Sequence, residues 1–115
     1  MVQDILKILL LHRYPLEREK ETQAAIEKRL VDAGITNYIR EHHLDKENIP
    51  DFFIDGVAIE VKIKGNAKSI YKQCERYCKF EEVTSLILVT NRSMGFPKDI
   101  NGKPCYFVNL GKAWL

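Results

Sequence analysis

Asp55-Gly56, set between two apolar runs, constrains this chain more than any other pair of residues. Phe52-Phe53-Ile54 precedes the pair, and Val57-Ala58-Ile59-Glu60-Val61-Lys62-Ile63 follows it. Asp-Gly supplies two residues that tolerate positive φ, which a two-residue hairpin turn requires. A turn here faces Ile54 with Val57, Phe53 with Ala58, Phe52 with Ile59 and, one step further, Asp51 with Glu60. Because side chains alternate along a strand, Lys62 projects from the same face as Glu60. The other face carries Phe52, Ile54, Val57, Ile59, Val61 and Ile63 without polar interruption, and it is predicted to be core. A one-residue slip would bury the charges and expose the apolar row, so the register is well specified. Opposed positions hold Cβ atoms about 4.5–5.5 Å apart. Two carboxylates that close repel, and the pKa of one rises. A hard divalent cation between them, Mg2+ or Mn2+, removes the conflict.

Pro50-Asp51 followed by Glu60-Val61-Lys62 resembles the signature of the PD-(D/E)xK nuclease superfamily: Pro-Asp, then Glu-x-Lys on the next strand. The letters alone are short and recur by chance. On a hairpin in this register they are considerably more specific. The plain reading is an ordinary hairpin with a surface Asp, Glu and Lys, the last two an exposed ion pair.

A chain of 115 residues is long enough to bury a core as a single domain, residues 1–115, without disulfides or structural metal. The formal charge of +2 permits a nucleic-acid partner without arguing for one. Cys74, Cys78 and Cys105 are odd in number and form no CxxC, which fits a reducing cytoplasmic compartment. Cys74 and Cys78 lie four apart on a predicted helix, where core positions are the simpler reading than zinc ligands. The apolar run over residues 5–11 is broken by Lys7 and too short to span a bilayer, so no membrane segment or signal peptide is expected.

Residues 4–12 read as a short apolar helix, with a strand as the alternative. They belong to an N-terminal extension (residues 1–15) that packs on the body or on a second copy in a homodimer. Tyr14-Pro15 breaks it. Over residues 16–33 the spacing turns helical: Leu16, Glu19, Gln23, Ile26, Leu30 and Ala33 recur at three and four, and Gly34 ends the helix. Glu19 on that stripe either needs a partner or lies past the core edge, where an acid suits the helix dipole. Residues 35–44 read as a first strand, with His42 and His43 on opposite faces near the surface.

Asn66 is a good N-cap for a helix running to about Phe80. Its inward stripe is Ile70, Gln73, Cys74, Tyr77 and Cys78, so Gln73 and Tyr77 stand one turn apart where apolar residues belong. The plain reading is a core tyrosine with a hydrogen-bonded glutamine. Lys68, Lys72 and Arg76 recur every four residues on the same helix, after Lys64. Such stripes are usually solvated faces, but beside a metal site they would meet phosphates. Ser85–Thr90 is an apolar run typical of a strand buried on both faces. Residues 91–104 read as a long loop whose Arg92, Lys98 and Lys103 are available to touch substrate, with nothing in the sequence to mark them out. Residues 105–110 form a last strand, and Trp114 and Leu115 are expected to pack the terminus onto the body.

The order of elements is similar to the restriction-endonuclease-like αβββαβ core of the PD-(D/E)xK nucleases, an α/β fold with a mixed central sheet flanked by helices. Consistency across levels strengthens the resemblance. RecB-like members carry a Gln-x-x-x-Tyr pair where Gln73 and Tyr77 stand. The Glu-x-x-x-Gln pattern from Glu19 to Gln23 resembles the VRR-type nucleases, although in Holliday-junction resolvases the acid sits at about the place of Gln23. Glu21 points elsewhere on the helix.

The resemblance implies that Asp51, Glu60 and the Val61 carbonyl hold Mg2+ or Mn2+. Glu19 would complete the site or bind the ion through water. Lys62 would orient the attacking water, and Gln73 and Tyr77 would brace the site or touch the strand near the scissile bond. It implies hydrolysis of phosphodiesters, in DNA before RNA, by an endonuclease or an end-processing enzyme of phage or repair type. The alternatives are an RNA-cleaving toxin domain on the same core and a non-catalytic nucleic-acid-binding module.

Overall fold

The computed structural model describes residues 1–111; Trp114 and Leu115 lie outside the described residues. In chain order the elements are α1 (Val2–Leu10), α2 (Glu19–Asp32), β1 (Ile39–Arg40), β2 (Phe52–Ile54), β3 (Val57–Lys62), α3 (Ala67–Tyr77), β4 (Ser85–Thr90), β5 (Asp99–Ile100) and β6 (Lys103–Asn109). The six strands make one mixed sheet in the order β1-β2-β3-β4-β6-β5. β1, β2 and β3 are antiparallel neighbours, β3, β4 and β6 run parallel, and β5 returns antiparallel to β6. The fold is α/β, with helices on both faces.

Alternation along β4 shows how the layers form. Ile87 and Val89 join the core built with Ile5 and Leu9 of α1 and Ile26 and Leu30 of α2. Leu86 and Leu88 point the other way, to Ile70, Cys74 and Tyr77 of α3. Every residue of β4 is buried, as expected for a central parallel strand. Each large aliphatic side chain so buried contributes roughly 1.5–3 kcal/mol. α1 is therefore part of the core, anchored through Ile5 and Leu9.

The hairpin has the register read from the sequence: Phe52↔Ile59, Phe53↔Ala58 and Ile54↔Val57. Asp55 (φ 45°) and Gly56 (φ 86°) both take positive φ, the requirement of a type I′ turn. A Cβ at Gly56 would stand 2.5 Å from Thr84 Oγ1, because Thr84 N–H donates to the Gly56 carbonyl at 2.8 Å. Gly56→Ala should therefore destabilise the fold by about 1–3 kcal/mol. The check is a lower denaturation midpoint with an unchanged m value.

The two hairpin faces are both covered. Phe52, Ile54, Val57, Ile59 and Val61 enter the α1–α2 core, while Phe53 and Ala58 pack with Val83 in a third cluster. The charged face read from the sequence is thus sealed along most of its length, and only its Asp51–Lys62 end opens outward.

Three of the differences from the expected elements have a local reason. α2 begins at Glu19 rather than residue 16, because the buried Thr22 hydroxyl bonds the Pro15 and Arg18 carbonyls and holds the preceding segment out of the helix. β1 is two residues long because Glu41 adopts φ 50°; His42 then stacks on Phe53 with ring centroids 4.5 Å apart. The loop expected over residues 91–104 contains a hairpin, β5–β6, turned at Asn101 (φ 55°) and Gly102 (φ 78°). α3 keeps its predicted cap: Asn66 Oδ1 accepts the Ser69 N–H at 2.8 Å.

Candidate active site

Asp51 stands immediately before β2, and Glu60 and Lys62 stand on β3, so the hairpin register sets all three. Asp51 Oδ2 accepts the Val61 N–H at 2.7 Å, tying the acid to the strand that carries Glu60. Lys62 Nζ lies 3.2 Å from Glu60 Oε2. On the other carboxylate oxygen, Tyr77 OH donates to Glu60 Oε1 at 2.9 Å, and Gln73 Nε2 donates to Tyr77 OH at 2.8 Å. The helical spacing of four that marked Gln73 and Tyr77 thus places them as a brace on Glu60. Glu19, in the first turn of α2, accepts the Ile63 N–H at 3.0 Å and fastens that helix end to the end of β3. Glu21 is exposed.

Glu60 is only 2 % exposed, and burial followed by the nearby Asp51 carboxylate pushes its pKa up to about 8. Burial likewise raises Asp51, to about 6, with Glu19 adding to the rise; the Val61 N–H, Lys62 and Arg40 pull against it. For Lys62 burial favours the neutral amine, but Glu60, Glu19 and Asp51 together outweigh it and the net shift is upward. Lys62 is therefore an ammonium at neutral pH, suited to orienting a nucleophile and unsuited to taking a proton from one. Burial, Glu60 and the hydrogen bond to it raise Tyr77 well above the usual phenol range, so its hydroxyl stays a donor.

This arrangement gathers three carboxyl groups around one ammonium. Asp51 and Glu60 hold protons more tightly than they would in water. Hard carboxylate oxygens with a shortage of positive charge suit Mg2+ or Mn2+. Among the described residues no three His, Cys, Asp or Glu side chains converge closely enough to hold an ion by themselves. An ion here would take Asp51 and Glu60 and complete its shell with main-chain oxygen and water, the sparse protein ligation Mg2+ accepts. Val61, whose carbonyl is the expected main-chain ligand, is buried between Glu60 and Lys62.

All four expected basic contacts, Lys64, Lys68, Lys72 and Arg76, are exposed. Arg76 donates from Nε to Asn48 Oδ1 at 3.0 Å, and Asn48 is itself held by Asp45. Arg76 therefore clips α3 to the turn that leads into the hairpin.

Arg40 is a site neighbour that the sequence does not single out. Its guanidinium donates to Glu27 Oε1 at 2.7 Å and Gln23 Oε1 at 3.0 Å, and it lies 4.7 Å from the centre of the Phe52 ring. Gln23 thus turns to Arg40 and leaves Glu19 as the helix residue tied to β3. A charge inside the apolar run Tyr38-Ile39-Arg40 is the available signal. A separate concavity of about 370 Å³, lined by Met1, Ile8, Leu11 and Ile35 among others, offers Asp4 without an opposing acid and shares no residue with this cluster.

Compared with family models, with curated proteins and with solved structures, the chain matches none.

Proposed function

We propose that this protein is a divalent-cation-dependent nuclease that hydrolyses phosphodiester bonds in nucleic acid, DNA before RNA. The observation that carries the reading is the juxtaposition of a buried acid, Glu60, and a partly buried one, Asp51, with an ammonium. Asp51 is tied to the Val61 N–H, and Glu60 is held between Tyr77 and Lys62. Support also comes from the order of elements, with the Glu19 helix before the hairpin and the Gln73–Tyr77 helix after it. That order resembles the one expected of a restriction-endonuclease-like core.

In this reading Asp51 and Glu60 hold the cation, with the Val61 carbonyl as a further ligand and Glu19 acting through water. When bound, Mg2+ or Mn2+ acidifies water and offsets charge gathering on the phosphoryl oxygens. Lys62 keeps its proton and positions the nucleophile by donating to it. Tyr77 donates to Glu60 and fixes which oxygen faces the reacting centre, while Gln73 fixes Tyr77. Lys64, Lys68 and Lys72, exposed beside the site or along α3, supply phosphate contacts that hold the strand without reading its bases.

The test is incubation with plasmid, single-stranded DNA and tRNA, each with Mg2+, Mn2+ or EDTA, for the wild type and Lys62→Ala. The expected result is cation-dependent cutting of DNA that falls about 10²–10⁴-fold in the variant. Cutting of tRNA alone would replace DNA with RNA as substrate. Retarded mobility without cutting would reduce the protein to a binding module.

A further inference from the structure

Arg92 is an exposed residue fastened at three points. Its backbone N–H donates to Thr90 Oγ1 at 3.1 Å, and its carbonyl accepts from Asn109 Nδ2 at 3.3 Å. Its guanidinium reaches across from the end of β4 and donates to the Gly65 carbonyl in the turn between β3 and α3. Asn109 is in turn bonded to the Gly111 N–H at 2.9 Å, so the anchor is itself held. Among the described residues no carboxylate pairs with Arg92 and no second acceptor is bonded to its guanidinium. An arginine at a surface normally keeps its rotamer freedom; one already restrained loses less of it on meeting a ligand.

Its place in the sheet gives this restraint a direction. β3, β4 and β6 are parallel neighbours, and Lys62, Thr90 and Asn109 are register partners at their carboxyl ends. Ligands of open α/β sheets collect outside that edge. Arg92 follows Thr90 by two residues and bonds the turn three residues beyond Lys62, so it stands on the same edge as the candidate site. Lys64 lies on that turn and is exposed. The guanidinium fork suits phosphate oxygens, where a point charge such as lysine offers less geometry.

We propose that Arg92, with Lys64 on the adjoining turn, is a phosphate-binding residue that takes the backbone of a single nucleic-acid strand lying across the carboxyl edge of the sheet. This rests on the nuclease reading for the identity of the ligand and not for the geometry. Arg92 is a binding and positioning residue: its loss weakens strand binding and leaves the groups around Glu60 in place.

The experiment is fluorescence anisotropy with a short fluorescein-labelled oligothymidylate in EDTA, where no cutting occurs, over a series of salt concentrations. The proteins are wild type, Arg92→Ala, Arg92→Lys and, as a control for one lost charge elsewhere, Lys28→Ala. Lys28 is exposed on α2 and paired with Asp32. Arg92→Ala should weaken binding about tenfold at low salt and lower the slope of log affinity against log salt by about 0.7. Arg92→Lys should keep the wild-type slope with intermediate affinity, and Lys28→Ala should match the wild type. A residue that only braced the turn would change melting temperature without moving the slope. Wild-type slope and affinity in Arg92→Ala would overturn the inference while leaving the nuclease reading intact. Failure of the wild type to bind the oligonucleotide would overturn the inference, whereas the nuclease reading falls only if no nucleic acid is cut.

Discussion

Replacing Glu60 by glutamine is expected to reduce cation-dependent cleavage by about 10²–10³-fold or more, with the fold retained by circular dichroism. The amide occupies nearly the same volume and still offers an oxygen to Tyr77 OH, which now bonds Glu60 Oε1 at 2.9 Å. What disappears is the second negative group facing Asp51. Lys62 loses the oxygen now 3.2 Å from Nζ and is free to turn towards solvent. A purely structural hairpin would tolerate this change with little consequence for any activity. A second readout separates loss of chemistry from loss of shape. Saturating Mn2+ should raise the stability of the wild type, by about 2.7 kcal/mol at a hundredfold excess over Kd, and leave Glu60→Gln unmoved.

Without divalent ions, wild-type stability should fall as the pH rises from about 4 to about 8. The sign follows from proton counting. Glu60 titrates near 4.5 when unfolded and about 8 when folded, and Asp51 moves from 3.8 to about 6. Between those limits the unfolded chain has released protons that the folded chain still holds, so each step up in pH favours unfolding. The stabilisation is complete below the unfolded pKa values, declines through the window, and is gone above about pH 8. A tenfold difference in proton affinity between the two states corresponds to about 1.4 kcal/mol, so the decline amounts to a few kcal/mol. Urea titrations across the range should show it, and Glu60→Gln should flatten the portion above pH 6. The titratable groups facing Glu60 are Asp51, Lys62, Tyr77 and Cys74, and the last three keep their protons throughout the window. A wild-type stability that rises steadily from pH 4 to 8 would contradict this account.

The hairpin and its acids are legible in the sequence because several local rules agree at one place. Asp55-Gly56 selects the turn, the apolar alternation selects the register, and the register alone brings Asp51 towards Glu60. Gln73 and Tyr77 are legible for a related reason, since polar residues on an inward helical stripe must find partners. Asn101-Gly102 carries the same hairpin chemistry as Asp55-Gly56 yet reads as loop, because the strand before it is short and Pro104 sits beside the turn. Pro104 is tolerated where β5, only two residues long, is its partner. β1 reads longer in the sequence than it is, because nothing in Arg40-Glu41-His42 announces that Glu41 takes positive φ.

Arg40 and Arg92 mark the limit of reading along the chain. Arg40 is held by two residues seventeen and thirteen positions earlier, and Arg92 by a carbonyl twenty-seven positions earlier. No periodicity connects such pairs. Glu19 lies between these cases: the helical stripe marks it, but its partner, the Ile63 N–H forty-four residues on, is visible only in the assembled sheet.

Calorimetric titration of Mn2+ into the wild type and Glu60→Gln, at neutral pH and in two buffers of different ionisation enthalpy, addresses the cation site without requiring a substrate. The wild type is expected to take up Mn2+ with release of protons, because Glu60 must give up the proton it holds when no ion is present, and Glu60→Gln is expected to take up none. A wild type that binds no Mn2+, or a glutamine variant that binds it equally well, would contradict the assignment of Asp51 and Glu60 as the pair that holds a cation.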